Sequence, residues 1–307
     1  IHTRRFMDCG FDLEQDTLFR LQVYRLAPDR FRLLVALHHI ISDAQSLAIL
    51  LREWRENYAA LLAGQRAEHP RLAIQYKDYS AWQHAQLSTP AWQAQQAYWQ
   101  KQLAAPLPVL DLPTDYPRPL HQTFRGQTLR QRISTSQVEG LAQLCRTQRV
   151  SFFTGLTTVV KSFLTLLSPE REVIIGTTVN GRRQEALRQQ LGFYINTLAL
   201  RSRRETGDSF VQYLQRVHGV LLEAMEHRDF PFSHLVGSLA PAVDHRRNPV
   251  FDVWIEYLER DLDAHQNFAL AGVERRALHR DRGSSNFDLS FYFVETEAGL
   301  ELHWDYN

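Results

Sequence analysis

Five prolines crowded into one stretch, Pro106, Pro108, Pro113, Pro117 and Pro119, constrain this chain more than any other feature. Proline locks φ at about −65° and removes a backbone donor, so residues 104–126 resist both a central strand and a long helix. An extended connector is expected there, separating a lobe at residues 1–103 from a second at residues 127–307. Both sides carry regular patterns. Residues 18–24 and 31–37 alternate or run apolar around Pro28-Asp29, as a hairpin would. Leu47, Leu50, Leu51, Trp54, Tyr58 and Leu61 recur at helical spacing, and Gly64 is a plausible stop. Residues 76–103 read as two helices broken at Pro90, with Trp82, Trp92 and Trp99 as packing anchors. Beyond the connector, residues 136–146, 152–167 and 210–225 predict helices. Residues 173–179, 193–200, 250–257, 287–294 and 300–306 predict strands. The sum is an α/β fold made of two related lobes.

Composition removes several functional classes. With 35 basic against 34 acidic residues, and no long block of either sign, the chain lacks the footprint of a nucleic-acid or polybasic membrane binder. Two cysteines, Cys9 and Cys145, are too few for a disulfide framework, and a cytoplasmic setting with reduced thiols is expected. There is no apolar run long enough to span a bilayer, and no signal-peptide pattern at the start.

The chemistry concentrates in Ala36-Leu37-His38-His39-Ile40-Ile41-Ser42-Asp43-Ala44-Gln45-Ser46, where a strand pattern gives way to a helix pattern. An imidazole held at such a junction can face a cleft and move a proton near neutral pH. Neighbouring side chains on an extended segment point to opposite faces, so His38 and His39 have different roles. Asp43 is placed to brace the turn, either by accepting backbone hydrogen bonds or by pairing with a distant cation. The plain alternative is a packed histidine pair beside an Asx-type turn. No metal is expected, because His-Glu-x-x-His spacing is absent and no cysteine pair stands nearby.

This segment resembles the active-site motif of the condensation domains of nonribosomal peptide synthetases, within the chloramphenicol-acetyltransferase-like superfamily. Further elements in the same order strengthen the resemblance. Tyr76-Lys77-Asp78-Tyr79-Ser80-Ala81-Trp82-Gln83 is similar to a Tyr-x-Asp-Tyr-x-x-Trp-Gln element, and Leu112-Pro113-Thr114-Asp115-Tyr116-Pro117-Arg118-Pro119 to the family's connector. Gly192-Phe193-Tyr194-Ile195-Asn196-Thr197 resembles a Gly-Phe-Phe-Val-Asn-Thr strand. His227-Arg228-Asp229-Phe230-Pro231-Phe232 and Arg247-Asn248-Pro249-Val250-Phe251 match two more.

The resemblance implies a two-lobed pseudo-dimer with a central substrate tunnel, here incomplete at both ends. It implies amide formation between a donor acyl or peptidyl thioester and the amine of an acceptor aminoacyl thioester. Both would ride on phosphopantetheine arms of carrier-protein domains, beside an adenylation domain, with no cofactor bound directly. His39 would be the principal catalytic group and His38 a support. Asp43 would be structural rather than a base, paired with Arg182 of the Gly181-Arg182 element. Ala44, Ser46, Tyr194, Asn196, Trp254 and Glu256 are the substrate-binding candidates. Two positions depart from the pattern: Ala44 stands where the family has glycine, and Gln45 where it has tryptophan. Chain initiation with a fatty acyl donor, an epimerising relative and a non-catalytic recruitment domain are the alternatives. The last usually lacks the second histidine, which is present here as His39.

Overall fold

In the computed structural model, residues 6, 9–239, 244–259, 268–274, 276 and 283–307 are described. The chain forms two compact units. One gathers Ile1–Ser80, Arg182–Tyr194 and the described part of Ala264–Arg275; the other gathers Ala81–Gly181, Ile195–Asp263 and Arg276–Asn307. Arg182–Tyr194 therefore folds with the first unit although it follows the connector in sequence.

In the first unit, β1 (Phe19–Ala27) and β2 (Arg30–Leu37) pair antiparallel around the expected Pro28-Asp29 turn, with Leu21 opposite Val35 and Val23 opposite Leu33. A single 3-10 turn, His39–Ile41, then leads into α1 (Ala44–Leu62). Asp43 caps α1 by accepting from the Ser46 N–H, which satisfies one of the donors that open every helix. The helix ends where Gly64 takes φ +68°, a left-handed conformation that glycine adopts without a Cβ penalty, while Gln65 N–H returns to the Ala60 carbonyl at 2.8 Å.

Helices α2 (Tyr76–Gln86) and α3 (Pro90–Gln102) break at Pro90, as the sequence predicts. Proline sits in the first turn of α3, where its missing N–H costs no intrahelical bond, and the Thr89 side chain caps the helix. Trp92 and Trp99 are core residues, whereas Trp82 is 43 % exposed and lies edge-on to Trp92.

The second unit is built on a six-stranded sheet in the order β3-β8-β7-β6-β4-β5. Its strands are β3 (Gln127–Arg132), β4 (Glu172–Asn180), β5 (Ile195–Arg203), β6 (Val253–Leu258), β7 (Leu289–Thr296) and β8 (Gly299–Tyr306). The central pairs β4/β6 and β6/β7 are parallel and the outer pairs antiparallel. With α3, the helices α4 (Thr135–Gln148), α5 (Phe152–Leu167), α6 (Phe210–Glu226) and α7 (Phe232–Leu239) accompany it.

Alternation along the strands supplies two cores. Val173, Ile175, Val253 and Ile255 pack with Leu156, Val160 and Leu164 of α5. Ile174 and Trp254, one residue out of phase, join Trp92, Trp99, Ala224 and Leu235. Helices on both faces explain why β4 is buried without alternation from Val173 to Thr177. Gly176 of β4 is required by close approach, since a Cβ there would lie 2.1 Å from the Phe251 ring.

Two elements escape the sequence reading. Strand β3 is polar and mostly exposed, so no alternation betrays it. Helix α7 has eight residues and contains Gly237, too short for a periodic signal.

The proline-rich stretch is not loose. Arg201 donates to the carbonyls of Gln102 and Ala104, Arg247 to that of Leu110, and Arg118 grips the Asp288 carboxylate through both nitrogens. Among the described residues, no single helix is long and apolar enough to cross a membrane.

Candidate active site

The histidine turn is built by backbone first. His38 is extended, with φ −72° and ψ 137°, and its Nδ1 accepts from the Ile40 N–H at 3.1 Å, so this ring caps the 3-10 turn. Its other neighbour is Phe11, edge-on at 5.8 Å between ring centroids. His39 is exposed, and its Nδ1 lies 2.6 Å from the Ser42 carbonyl. A carbonyl only accepts, so this contact places a proton on Nδ1 and leaves Nε2 as the remaining ring nitrogen. The two rings thus make different bonds: His38 Nδ1 accepts from the Ile40 N–H, and His39 Nδ1 meets the Ser42 carbonyl. The Phe193 ring meets His39 edge-to-face at 5.3 Å.

Behind the turn lies a buried charge pair. The Asp43 and Arg182 side chains are 2 % and 1 % exposed, and one guanidinium nitrogen, Nη2, reaches both carboxylate oxygens at 2.8 and 3.0 Å. The carboxylate also accepts from the Ser46 N–H and hydroxyl, each at 2.7 Å, and from the Tyr194 N–H at 3.1 Å. Burial pushes the Asp43 carboxyl up, but the hydrogen bonds from Arg182 and Ser46 outweigh it and hold the group below the ordinary carboxylate value. Asp43 is therefore an anion held for its shape and charge.

Arg182 is gripped by further groups through its terminal nitrogens. Its Nη1 donates to the Leu187 and Gln190 carbonyls at 2.7 and 2.6 Å, and its guanidinium lies 4.1 Å from the centre of the Tyr194 ring. Tyr194 is buried and its hydroxyl donates to Gln190 Oε1 at 2.5 Å. Burial drives this phenol up to about 12. Ser46 Oγ accepts from the Gly192 N–H at 3.0 Å and lies 2.8 Å from the Gly192 carbonyl. Gly192 must be glycine, because a Cβ would come within 2.3 Å of the Tyr76 ring and 2.7 Å of the Tyr194 ring.

Ala44 opens α1, and among the described non-glycine residues positive φ falls at Phe124 and Arg149, so alanine carries no left-handed strain at this position. Gln45 Nε2 donates to the Arg188 carbonyl at 3.0 Å, tying α1 to the Arg182–Tyr194 segment. The structure thus brings together His38, His39, Asp43, Ala44, Ser46, Arg182 and Tyr194 in one unit. The remaining candidates belong to the other unit. Asn196 bridges three backbone groups, donating to the Arg228 and Phe230 carbonyls and accepting from the Phe232 N–H. Trp254 stacks on Phe287 at 5.0 Å, and Glu256 accepts from the Thr178 hydroxyl at 2.7 Å.

The sequence alone does not single out Ser42, Tyr76, Gln190 and Phe193 as site residues. Tyr76 donates its hydroxyl to the Phe193 carbonyl at 3.0 Å, and Gln190 Nε2 donates to the Ile74 carbonyl at 2.7 Å. No grouping of three or more His, Cys, Asp or Glu side chains that could hold a metal occurs among the described residues.

A mixed sheet with helices on both faces, and a His-His-x-x-x-Asp turn held by a buried arginine, define the chloramphenicol-acetyltransferase-like class. The chain belongs to the condensation-domain family of nonribosomal peptide synthetases: the sequence model of the Condensation domain matches residues 2–307. One of the plipastatin synthase proteins of Bacillus subtilis (strain 168) is 43% identical over 290 residues, 94% of this chain and 11% of that protein. Tyrocidine synthase 3 of Brevibacillus parabrevis is 34% identical over 292 residues, 95% of this chain and 4% of that protein. The chain thus spans about a tenth or less of those relatives' length. Among solved structures, the X-domain in complex with OxyB from teicoplanin biosynthesis has a TM-score of 0.87 at 23% identity, covering 99% of this chain and 68% of that one. A four-domain nonribosomal peptide synthetase bound to AMP and glycine has a TM-score of 0.79 at 25% identity, covering 97% of this chain and 23% of that one.

Proposed function

We propose that this chain is the catalytic part of a condensation domain that joins a donor acyl or peptidyl thioester to the amine of an acceptor aminoacyl thioester. Both substrates arrive on phosphopantetheine arms of carrier-protein domains, and a neighbouring adenylation domain of the same synthetase loads the acceptor. The observation that carries this reading is His39: an exposed imidazole whose Nδ1–H is committed to the Ser42 carbonyl, leaving Nε2 as a hydrogen-bond acceptor.

The acceptor amine attacks the donor carbonyl carbon, a C–N bond forms, and the donor C–S bond breaks to release the pantetheine thiol. Nε2 of His39 accepts the hydrogen bond of the attacking amine and takes its proton as the tetrahedral intermediate develops. An α-amine beside a thioester is already a competent free base near neutral pH. Orientation and charge stabilisation then carry much of the barrier reduction. The Ala44 N–H, at the positive end of the α1 dipole, is a candidate donor to the developing oxyanion. Asp43 and Arg182 hold the turn and take no proton. Ser46 and Tyr194 act through that network, while Asn196, Trp254 and Glu256 are proposed on the substrate side.

The test is single-turnover peptide-bond formation between two loaded carrier domains. His39→Ala is expected to abolish most of the rate while the fold survives. A variant that keeps more than a third of the rate overturns the assignment of His39. Failure of the wild-type chain, within its intact synthetase, to form any amide turns the reading to a non-catalytic recruitment domain.

A further inference from the structure

We infer that Phe193 is a positioning residue for the His39 imidazole, an inference that rests on the catalytic reading of His39. His39 lies on an exposed 3-10 turn, and one hydrogen bond from Nδ1 leaves its ring free to swing about that bond. The second constraint is the Phe193 ring, edge-to-face at 5.3 Å with an interplanar angle of 74°. Aromatic pairs prefer this offset perpendicular arrangement, because the positive edge of one ring meets the negative face of the other.

Phe193 is itself held by backbone. Gly192 N–H is bonded to Ser46 Oγ, the Phe193 carbonyl accepts from the Tyr76 hydroxyl, and the Tyr194 N–H donates to Asp43 Oδ2. Three successive residues are thus fixed around the turn that carries His39, and the ring between them is delivered to one place. The same ring is 37 % exposed, so it contributes less to the core than a buried phenylalanine does. Its placement against the imidazole is what the surrounding hydrogen bonds achieve. An exposed aromatic contact with one catalytic ring has a small, specific effect: it narrows the orientations in which Nε2 faces the reacting amine.

The experiment compares Phe193→Ala, Phe193→Leu and Phe193→Tyr with the wild-type chain by nitrogen NMR of 15N-histidine-labelled protein, with His39→Ala used to assign the signal. Single-turnover rates and thermal unfolding are measured alongside. Phe193→Ala and Phe193→Leu are expected to shift and broaden the His39 ring nitrogens and to slow turnover roughly two- to tenfold, the size an aromatic pair supports. Phe193→Tyr, which keeps the ring, is expected to restore both. Phe193→Leu keeps apolar bulk, so it remains informative if the alanine variant unfolds. His39 nitrogens unchanged in a folded Phe193→Leu variant overturn the proposal, whatever the rate does. Full activity in His39→Ala instead overturns the catalytic reading and leaves the NMR result standing.

Discussion

Removing the Asp43 carboxylate is the sharpest perturbation the site offers. In Asp43→Ala the Arg182 guanidinium, 1 % exposed, keeps its charge and loses the carboxylate it is paired with. The Ser46 and Tyr194 N–H groups lose their acceptor in the same step. An uncompensated buried charge costs about 3–5 kcal/mol, and the lost helix cap, about 1 kcal/mol by itself, is contained in that figure. Urea unfolding of Asp43→Ala, Arg182→Met and the double variant closes a thermodynamic cycle. The double variant is expected to lose less than the sum of the singles, by about 1.5 kcal/mol or more, because neither partner is then left buried alone. The pH dependence gives a second reading. The folded-state carboxyl titrates below its ordinary value of 3.8, so its stabilisation is complete above pH 3.8 and is lost as the pH falls through the lower folded value. Asp43→Asn should therefore flatten the acid limb of the stability curve. A single-variant loss under about 1 kcal/mol, or strict additivity in the cycle, refutes the account of this pair.

Three further outcomes are expected. His39→Ala should slow single-turnover condensation by roughly 10²–10⁴-fold, the range of a general base, with an unfolding midpoint close to that of the wild type. Gly192→Ala should destabilise the first unit and impair turnover together, since its Cβ would meet the Tyr76 ring at 2.3 Å; unchanged thermal stability would contradict this packing. Lys161, fully buried in α5, donates to the Val173 and Leu200 carbonyls at 2.8 and 2.7 Å, and burial lowers its ammonium from 10.5 to about 7. Between those values the unfolded chain binds more protons, so stability relative to Lys161→Met should rise by a few kcal/mol from pH 7 to 10; a pH-independent difference would show that burial does not perturb this amine.

Much of this is legible in the sequence because it is local. The hairpin, the capped helix after Asp43 and the Pro90 break each follow from residues within a few positions of one another. Strand β3 is not legible, because an exposed edge strand of Gln, Thr and Arg carries no burial pattern. In the site, the histidines and Asp43 are visible as a motif, whereas the choice of Arg182 rests on family resemblance and not on spacing. Ser42 escapes notice because it acts through its carbonyl, which no side chain advertises. Tyr76 and Gln190 escape because their roles arise from close packing around Gly192. Ser46 and Tyr194, read as substrate-side residues, spend their polar atoms on Asp43, Gly192 and Gln190.

The bond from Asp43 to Arg182 spans 139 positions of chain, and this has a consequence for biosynthesis. A ribosome adding about 5–20 residues each second needs roughly seven to thirty seconds to pass from one partner to the other. Throughout that interval the histidine turn exists without its guanidinium, and the carboxylate stays in water. Maturation of the histidine turn is therefore a late event, timed by emergence of the Arg182–Tyr194 segment rather than by completion of α1. Nascent chains halted before residue 182 should leave the turn open to protease, and those halted beyond residue 194, once clear of the exit tunnel, should protect it.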